Sequence, residues 1–223
     1  MSNVVIAVDG PVAAGKGTLA RRLAAHLGLQ HLDSGMIYRA AAARLLETGG
    51  QPVDAAAAEA AAKALSADDL TRPNLRDQAI GGAASKVAVI PAVRAALLEF
   101  QRRFVQTPPG AVIDGRDIGT VVCPDANVKL YVTASLDARA GRRHAELEAR
   151  DGSADFKAIR AEISERDRRD MERETAPLRQ ADDAVTLDTS DLDADMAFQA
   201  ALEIIEQSLK QQGNIAIESP ASA

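Results

Sequence analysis

Val4-Val5-Ile6-Ala7-Val8-Asp9-Gly10-Pro11-Val12-Ala13-Ala14-Gly15-Lys16-Gly17-Thr18 is the stretch that decides the fold. Residues 4–8 are a short apolar, β-branched run, the composition of a strand buried on both faces. Residues 10–17 form a glycine-rich turn. Leu19, Leu23 and Leu27 then recur at helical spacing with Arg21 and Arg22 on the other face, and Gly28 stands where a helix C-cap is expected. Strand, glycine turn and helix in immediate succession make a cradle for phosphate. Glycines bring backbone N–H groups close to phosphate oxygens, and the helix points its positive N-terminus at the same place.

The turn reads G-P-V-A-A-G-K-G-T and fits G-x-x-x-x-G-K, the P-loop pattern. Lys16 supplies a point charge for the β- and γ-phosphates. The strict pattern puts Ser or Thr directly after Lys. Here Gly17 intervenes and the hydroxyl falls at Thr18.

Further short apolar runs at 31–32, 111–113, 128–132 and 185–187 read as four more strands. Helices are expected from Ser34, as N-cap, to about Thr48, and over 54–66, 75–88, 92–105, 136–150, 155–173 and 192–211. Strands alternating with helices indicate an α/β protein with a parallel sheet covered on both faces. A single domain spans 1–212, and the small, polar tail 213–223 is expected to be disordered.

Composition narrows the function. The chain has 223 residues, 47% of them hydrophobic, enough for one core with a small lid or insertion. Aromatics are 3% and Trp is absent, so no base-stacking platform is available. A net charge of −6 argues against nucleic acid but not against a phosphorylated small molecule, which needs only a local basic pocket. Cys123, the one cysteine, permits no disulfide within the chain and reads as a small core residue. His26, His31 and His144 share no metal-ligand spacing and read as surface or packing residues. The N-terminal run ends at Asp9 without a basic flank and is neither a signal peptide nor a membrane span, so a cytoplasmic protein is expected. Nothing demands more than a monomer.

The Lys16-Gly17-Thr18 variant of the loop is that of nucleoside monophosphate kinases. Three more segments narrow the resemblance: Leu32-Asp33-Ser34-Gly35-Met36-Ile37-Tyr38-Arg39; Asp114-Gly115-Arg116-Asp117-Ile118-Gly119-Thr120-Val121-Val122; and Glu165-Arg166-Asp167 through Asp170 to Arg173, followed by Ala176-Pro177-Leu178. Together, in this order, they resemble the bacterial cytidylate kinases. The resemblance implies the P-loop kinase fold: a five-stranded parallel sheet flanked by helices, with a core at 1–48 and 106–212. It also implies a helical acceptor-binding region at about 49–105 and an arginine-rich lid at about 139–174. The implied reaction moves the γ-phosphoryl group of ATP to CMP or dCMP with Mg²⁺.

The resemblance also implies roles. Residues 10–18 hold ATP, and Thr18 meets Mg²⁺ directly or through water. Ser85, Arg94 and Asp117 contact the cytosine, Arg166 and Asp170 the sugar. Arg39, Arg116 and Arg173 clamp phosphate, and Ser34 joins the acceptor contacts. Lys16, Arg116, Arg166 and Arg173 form the catalytic set. The base chemistry agrees, because the amine of cytosine donates to a carboxylate while its O2 and N3 accept from Arg or Ser. Uracil presents a carbonyl where that amine stands, so an Asp there rejects it. Arg166 and Arg173, seven apart with Asp170 between, share one helical face.

Several residues keep two readings. Asp33 either binds a magnesium-bound water or caps a helix. Asp114, ending a strand, is a second acid that can hold magnesium. Tyr38 either packs or lies near the acceptor phosphate. Of the 11 basic residues between 139 and 179, most read as a solvated face laced with acidic partners. Family members often carry an insertion rich in strand and Asn-Gly turn signals before Ala84-Ser85. Here residues 50–80 are shorter and read as helices. A kinase for another small acceptor and a non-catalytic nucleotide sensor are the competing functions. The D-G-R-D loop speaks against the first and the density of arginines against the second.

Overall fold

Five strands, β1 (Val4–Asp9), β2 (Gln30–Asp33), β3 (Gly110–Gly115), β4 (Val128–Thr133) and β5 (Val185–Asp188), form one sheet in the order β2-β3-β1-β4-β5. The β1–β3, β1–β4 and β4–β5 pairings are parallel, with Ile6 opposite both Val112 and Val128. The helices are α1 (Lys16–Leu27), α2 (Ser34–Glu47), α3 (Ala55–Lys63), α4 (Gln78–Val87), α5 (Pro91–Val105), α6 (Leu136–Asp151), α7 (Phe156–Glu172) and α8 (Ala194–Gln211). This computed structural model describes residues 3–66 and 68–213, so residues 214–223 of the expected disordered tail lie outside it.

The chain divides into two compact units, residues 1–31 with 107–223, and residues 32–106. In the first, α1 and α8 pack together over the sheet. Leu19 and Leu23 of α1 and Phe198 and Ile205 of α8 share a core with Ile6, Val8, Val112 and Leu130. This is the apolar stripe the sequence periodicity gave to α1, and Gly28, in the left-handed region, ends that helix as expected. Among the described residues no single helix is long and apolar enough to cross a membrane.

In the second unit α2 packs on α4 and α3 on α5, and Leu75, Ala40, Ala43 and Ile80 form a small core. The helix from residue 34 falls in this unit rather than with the sheet core. Its N-cap is Asp33, whose Oδ1 accepts the Met36 N–H at 3.2 Å, while Ser34 is the first helical residue and buried. A carboxylate at the cap also suits the positive helix end better than a hydroxyl. The described residues between 50 and 80 contain no strand; α3 is followed by two 3₁₀ turns, Asp68–Thr71 and Pro73–Arg76. α3 stops at Lys63, short of 66, because Ser66 gives both its backbone N–H and its hydroxyl to the buried Asp69. Arg44 and Arg72 complete that carboxylate's shell, and Arg72 also reaches Glu47. Together they hold Asp69 below the usual carboxylate range, with the Ser66 N–H foremost.

The sharpest constraint lies where β1 becomes loop. Gly10 has φ 147°, and a Cβ there would stand 1.9 Å from the Val132 carbonyl oxygen on the neighbouring strand. Neither group can move without breaking the β1–β4 ladder. We expect Gly10→Ala to lower the free energy of unfolding by more than about 3 kcal/mol. Urea denaturation checks this; a loss below about 1 kcal/mol would mean that the loop adapts.

Candidate active site

β1 delivers the chain into a loop that closes on α1. Gly15, at φ 85°, is the α1 N-cap and supplies no side-chain hydrogen bond to it. The first-turn N–H groups are thus presented toward the loop, as anion binding requires. Ala13 takes φ 60°, a costly value for a residue with a Cβ. Lys16 is buried and its Nζ donates to the Pro11 carbonyl at 2.8 Å, so the ammonium lies back across the loop. Two residues the sequence did not single out fix the loop from outside. Thr189 Oγ1 donates to the Ala14 carbonyl at 3.2 Å, and Arg139 donates to the Val12 carbonyl at 3.2 Å.

The segment after β3 carries the second group of charges. Arg116 Nε donates to Asp170 Oδ2 at 2.8 Å, and Arg173 donates to Asp117 Oδ1 at 3.3 Å. Two ion pairs therefore join the loop after β3 to the end of α7. Arg173 is the C-cap residue of α7 and its Nε also donates to the Ala176 carbonyl at 2.7 Å. Ala176 has φ 50°, and Leu178 N–H bonds back to the Asp170 carbonyl, so the Ala-Pro-Leu turn sets the aim of Arg173. Burial works to raise the pKa of Asp170, but Arg116, Arg166 and Arg173 outweigh it and hold the carboxyl below its usual range. Burial likewise opposes the charge on Arg116, yet Asp170, with Asp114 and Asp167, keeps it more basic than usual.

Oxygen donors suited to Mg²⁺ lie beside the loop. Asp114 is buried, and its Oδ2 is 3.8 Å from where a Cβ on Gly17 would stand, next to Thr18. His31 Nε2 lies 2.9 Å from Asp114 Oδ1, so this histidine does more than pack. One carboxylate and one hydroxyl fit an ion that keeps most of its waters. No cluster of three or more His, Cys, Asp or Glu that could hold a metal occurs among the described residues. Asp33 caps α2 through its Oδ1.

The arginines of α6 and α7 divide into two kinds. Arg143, Arg160 and Arg168 pair with Glu146, Asp137 and Glu165 at the surface, where such pairs contribute little. Arg139 is buried and joins Asp167 at 2.6 Å and the Ala134 carbonyl at 2.9 Å. Arg142 donates to the Thr189 hydroxyl at 3.1 Å and to its carbonyl. A largely apolar cavity of about 300 Å³ opens there, lined by Gly15, Thr18, Leu19, Arg142, Thr189 and Ala197. Sequence reasoning missed this cavity, since its walls come from positions more than 170 residues apart.

The remaining expected acceptor residues lie in the second unit. Arg39 donates to the Leu75 carbonyl at 2.8 Å, and its guanidinium sits where a side chain at Gly81 would be. Ser85, buried, follows Gly81 by four residues on α4. Arg94, also buried, lies over the Tyr38 ring at 5.6 Å and donates to the Ala88 carbonyl at 3.3 Å. Tyr38 thus packs against a candidate base-contacting residue.

A family model described as cytidylate kinase matches residues 6–207. The cytidylate kinase of Paramagnetospirillum magneticum is 60% identical over 206 residues, covering 91% of this chain and 98% of that protein. The cytidylate kinase of Rhizobium meliloti is 54% identical over 208 residues, covering 93% and 98%. A crystal structure of an uncharacterized protein from Eubacterium ventriosum, 14% identical, has a TM-score of 0.55 and covers 91% of this chain and 98% of that one, a likeness of fold.

Asp9 gives this edge of the sheet a pH signature. Burial pushes its pKa from 3.8 up to about 6, against the N–H groups of Gly119 and Ile118, which lower it. Between pH 4 and 6 the folded state therefore binds a proton that the unfolded chain does not, and stability falls as pH rises through that window. The unfolding free energy of the wild type, minus that of Asp9→Asn, should drop by about 2 kcal/mol from pH 4 to pH 7. Urea denaturation across this range measures it; parallel curves would exclude the shift.

Proposed function

The chain belongs to the cytidylate kinase family, and from that premise we propose that the residues above carry the γ-phosphoryl group of ATP to CMP or dCMP, giving ADP and CDP or dCDP. One observation carries the assignment of roles. Asp9 lies within electrostatic range of both Lys16, in the glycine loop, and Asp117, in the arginine–carboxylate group. A loop for one polyphosphate and a second set of anion-gripping arginines thus share one edge of the sheet. A nucleotide sensor would need only the first.

Phosphoryl transfer calls for alignment and neutralised charge more than for covalent chemistry. The loop from Gly10 to Thr18 wraps the phosphates of ATP with backbone N–H groups, and Lys16 bridges toward the γ-phosphate. Mg²⁺, when bound, screens the phosphate charge, and Thr18 and Asp114 hold it in part through water. Arg116, Arg166 and Arg173 neutralise the group in flight, and Arg39 holds the acceptor phosphate. Asp117 accepts from the amine of cytosine, Ser85 and Arg94 donate to its O2 and N3, and Arg166 and Asp170 hold the sugar. Ser34 completes the acceptor contacts. α6 and α7 act as a lid. The cavity between Arg142 and Thr189 takes the base of ATP, since it adjoins Gly15 and Thr18 and is largely apolar.

Measured by ADP release, kcat/KM should be highest for CMP and dCMP and at least about tenfold lower for UMP, with AMP poorest. AMP as the best acceptor would sink the reading. Asp117→Ala should reduce the CMP-over-UMP preference about tenfold with little change in KM for ATP; equal losses on both would remove its role. Arg142→Ala should raise KM for ATP about tenfold and leave KM for CMP unchanged, a split visible in initial rates.

A further inference from the structure

Asp9 is a buried carboxylate to which the reaction described above gives no task. It is the last residue of β1, directly before Gly10, and 5% exposed. Its two oxygens take separate backbone hydrogen bonds: Oδ1 from Ile118 N–H at 2.8 Å, and Oδ2 from Gly119 N–H at 2.7 Å. Those residues follow Asp117 and open the π-helical turn Ile118–Val122. Lys129 of β4 closes the other side. A Cβ on Gly119 would stand 3.0 Å from Lys129 Cδ, and the Lys129 ammonium is fixed by both oxygens of Asp183 at 2.8 and 2.7 Å. The turn after Asp117 is therefore gripped by β1 on one side and β4 on the other.

We propose that Asp9 is a positioning residue that fixes the base-reading Asp117 relative to the phosphate loop. The inference rests on the reading of Asp117 given above. Here each of two consecutive N–H groups has an acceptor oxygen of its own, which a carboxylate offers and an amide does not. Asn would set its NH₂ against one of the two N–H groups. The negative charge of Asp117 opposes ionisation of Asp9, and the positive charge of Lys16 favours it. A shift at residues 118–119 displaces Asp117 directly, because one residue intervenes at most.

The test compares Asp9→Asn with wild type. Asp9→Asn should lower kcat/KM for CMP roughly 100-fold, as a displacement near 1 Å at a reacting site does, while the Kd for ATP alone moves less than about threefold. The CMP-over-UMP ratio should fall about tenfold, because the reader of the amine has moved. A merely structural role predicts a lower denaturation midpoint, with CMP and UMP rates reduced in the same proportion and the ratio unchanged. That outcome overturns the proposal. If Asp9→Asn does not fold, the wild type decides by NMR. The Ile118 and Gly119 amide protons should titrate with the Asp9 carboxyl carbon at one shared midpoint. Amides that ignore that titration overturn it. A wild type without CMP preference would remove the role given to Asp117, and the amide titration would still decide whether Asp9 holds residues 118–119.

Discussion

Charge buried at the carboxyl edge of the sheet is the constraint on which the first unit depends. Asp9, Lys16, Asp114, Asp117, Arg139, Asp167 and Asp170 are all less than one-tenth exposed. An unpaired buried ion costs several kcal/mol, so a fold that gathers this many must partner them. The partners come from different elements: Asp9 with the turn after Asp117, Asp114 with His31, Arg116 with Asp170, Arg139 with Asp167, and Arg173 with Asp117. The need to satisfy charge thus sets the placement of the loops, and the apolar core under β1 supplies the rigid base.

The same arrangement makes the site chemically able. In a region of low dielectric a guanidinium acts on a developing phosphate charge with little reorganisation, provided it is already aimed. Arg173 is aimed from two directions, by the Ala176 carbonyl and by Asp117, and Arg116 by Asp170. These contacts are interactions of the protein with itself, and they resemble what a nucleotide offers: a carbonyl oxygen and a carboxylate in place of phosphate oxygens. On the proposed reading, phosphate oxygens would replace these contacts like for like.

Much of this was legible in the sequence, for identifiable reasons. The strand, loop and helix from Val4 to Leu27 follow from a β-branched run, glycines and a leucine period, all local signals. Gly28 and Pro91 mark helix ends by backbone geometry alone. What escaped was long-range. Thr189 meets Ala14 across 175 positions, Arg139 meets Val12 across 127, and Asp9 meets Gly119 across 110, and no periodicity encodes such pairs. Arg139 and Arg142 look like their solvated neighbours because composition does not say which face of α6 is covered. Ser34 and Asp33 are both good caps by residue type, and only geometry separates adjacent candidates.

The stretch between 50 and 80 shows how a small unit can be held together without a strand among its described residues. A small sheet would satisfy its backbone groups with ladder hydrogen bonds. Here Asp69, 3% exposed, gathers two bonds from Ser66 and the guanidinium groups of Arg44 and Arg72. Arg44 stands near the end of α2 and Ser66 just past α3, so one carboxylate ties both helices to the 3₁₀ turns. Those turns end at Asp77, directly before α4, and Arg39 reaches the carbonyls of Leu75 and Asp77. The Asp69 cluster therefore sets the start of the helix that carries Ser85 and one support of Arg39. A local polar hub of this kind needs few residues to hold both side chains in place.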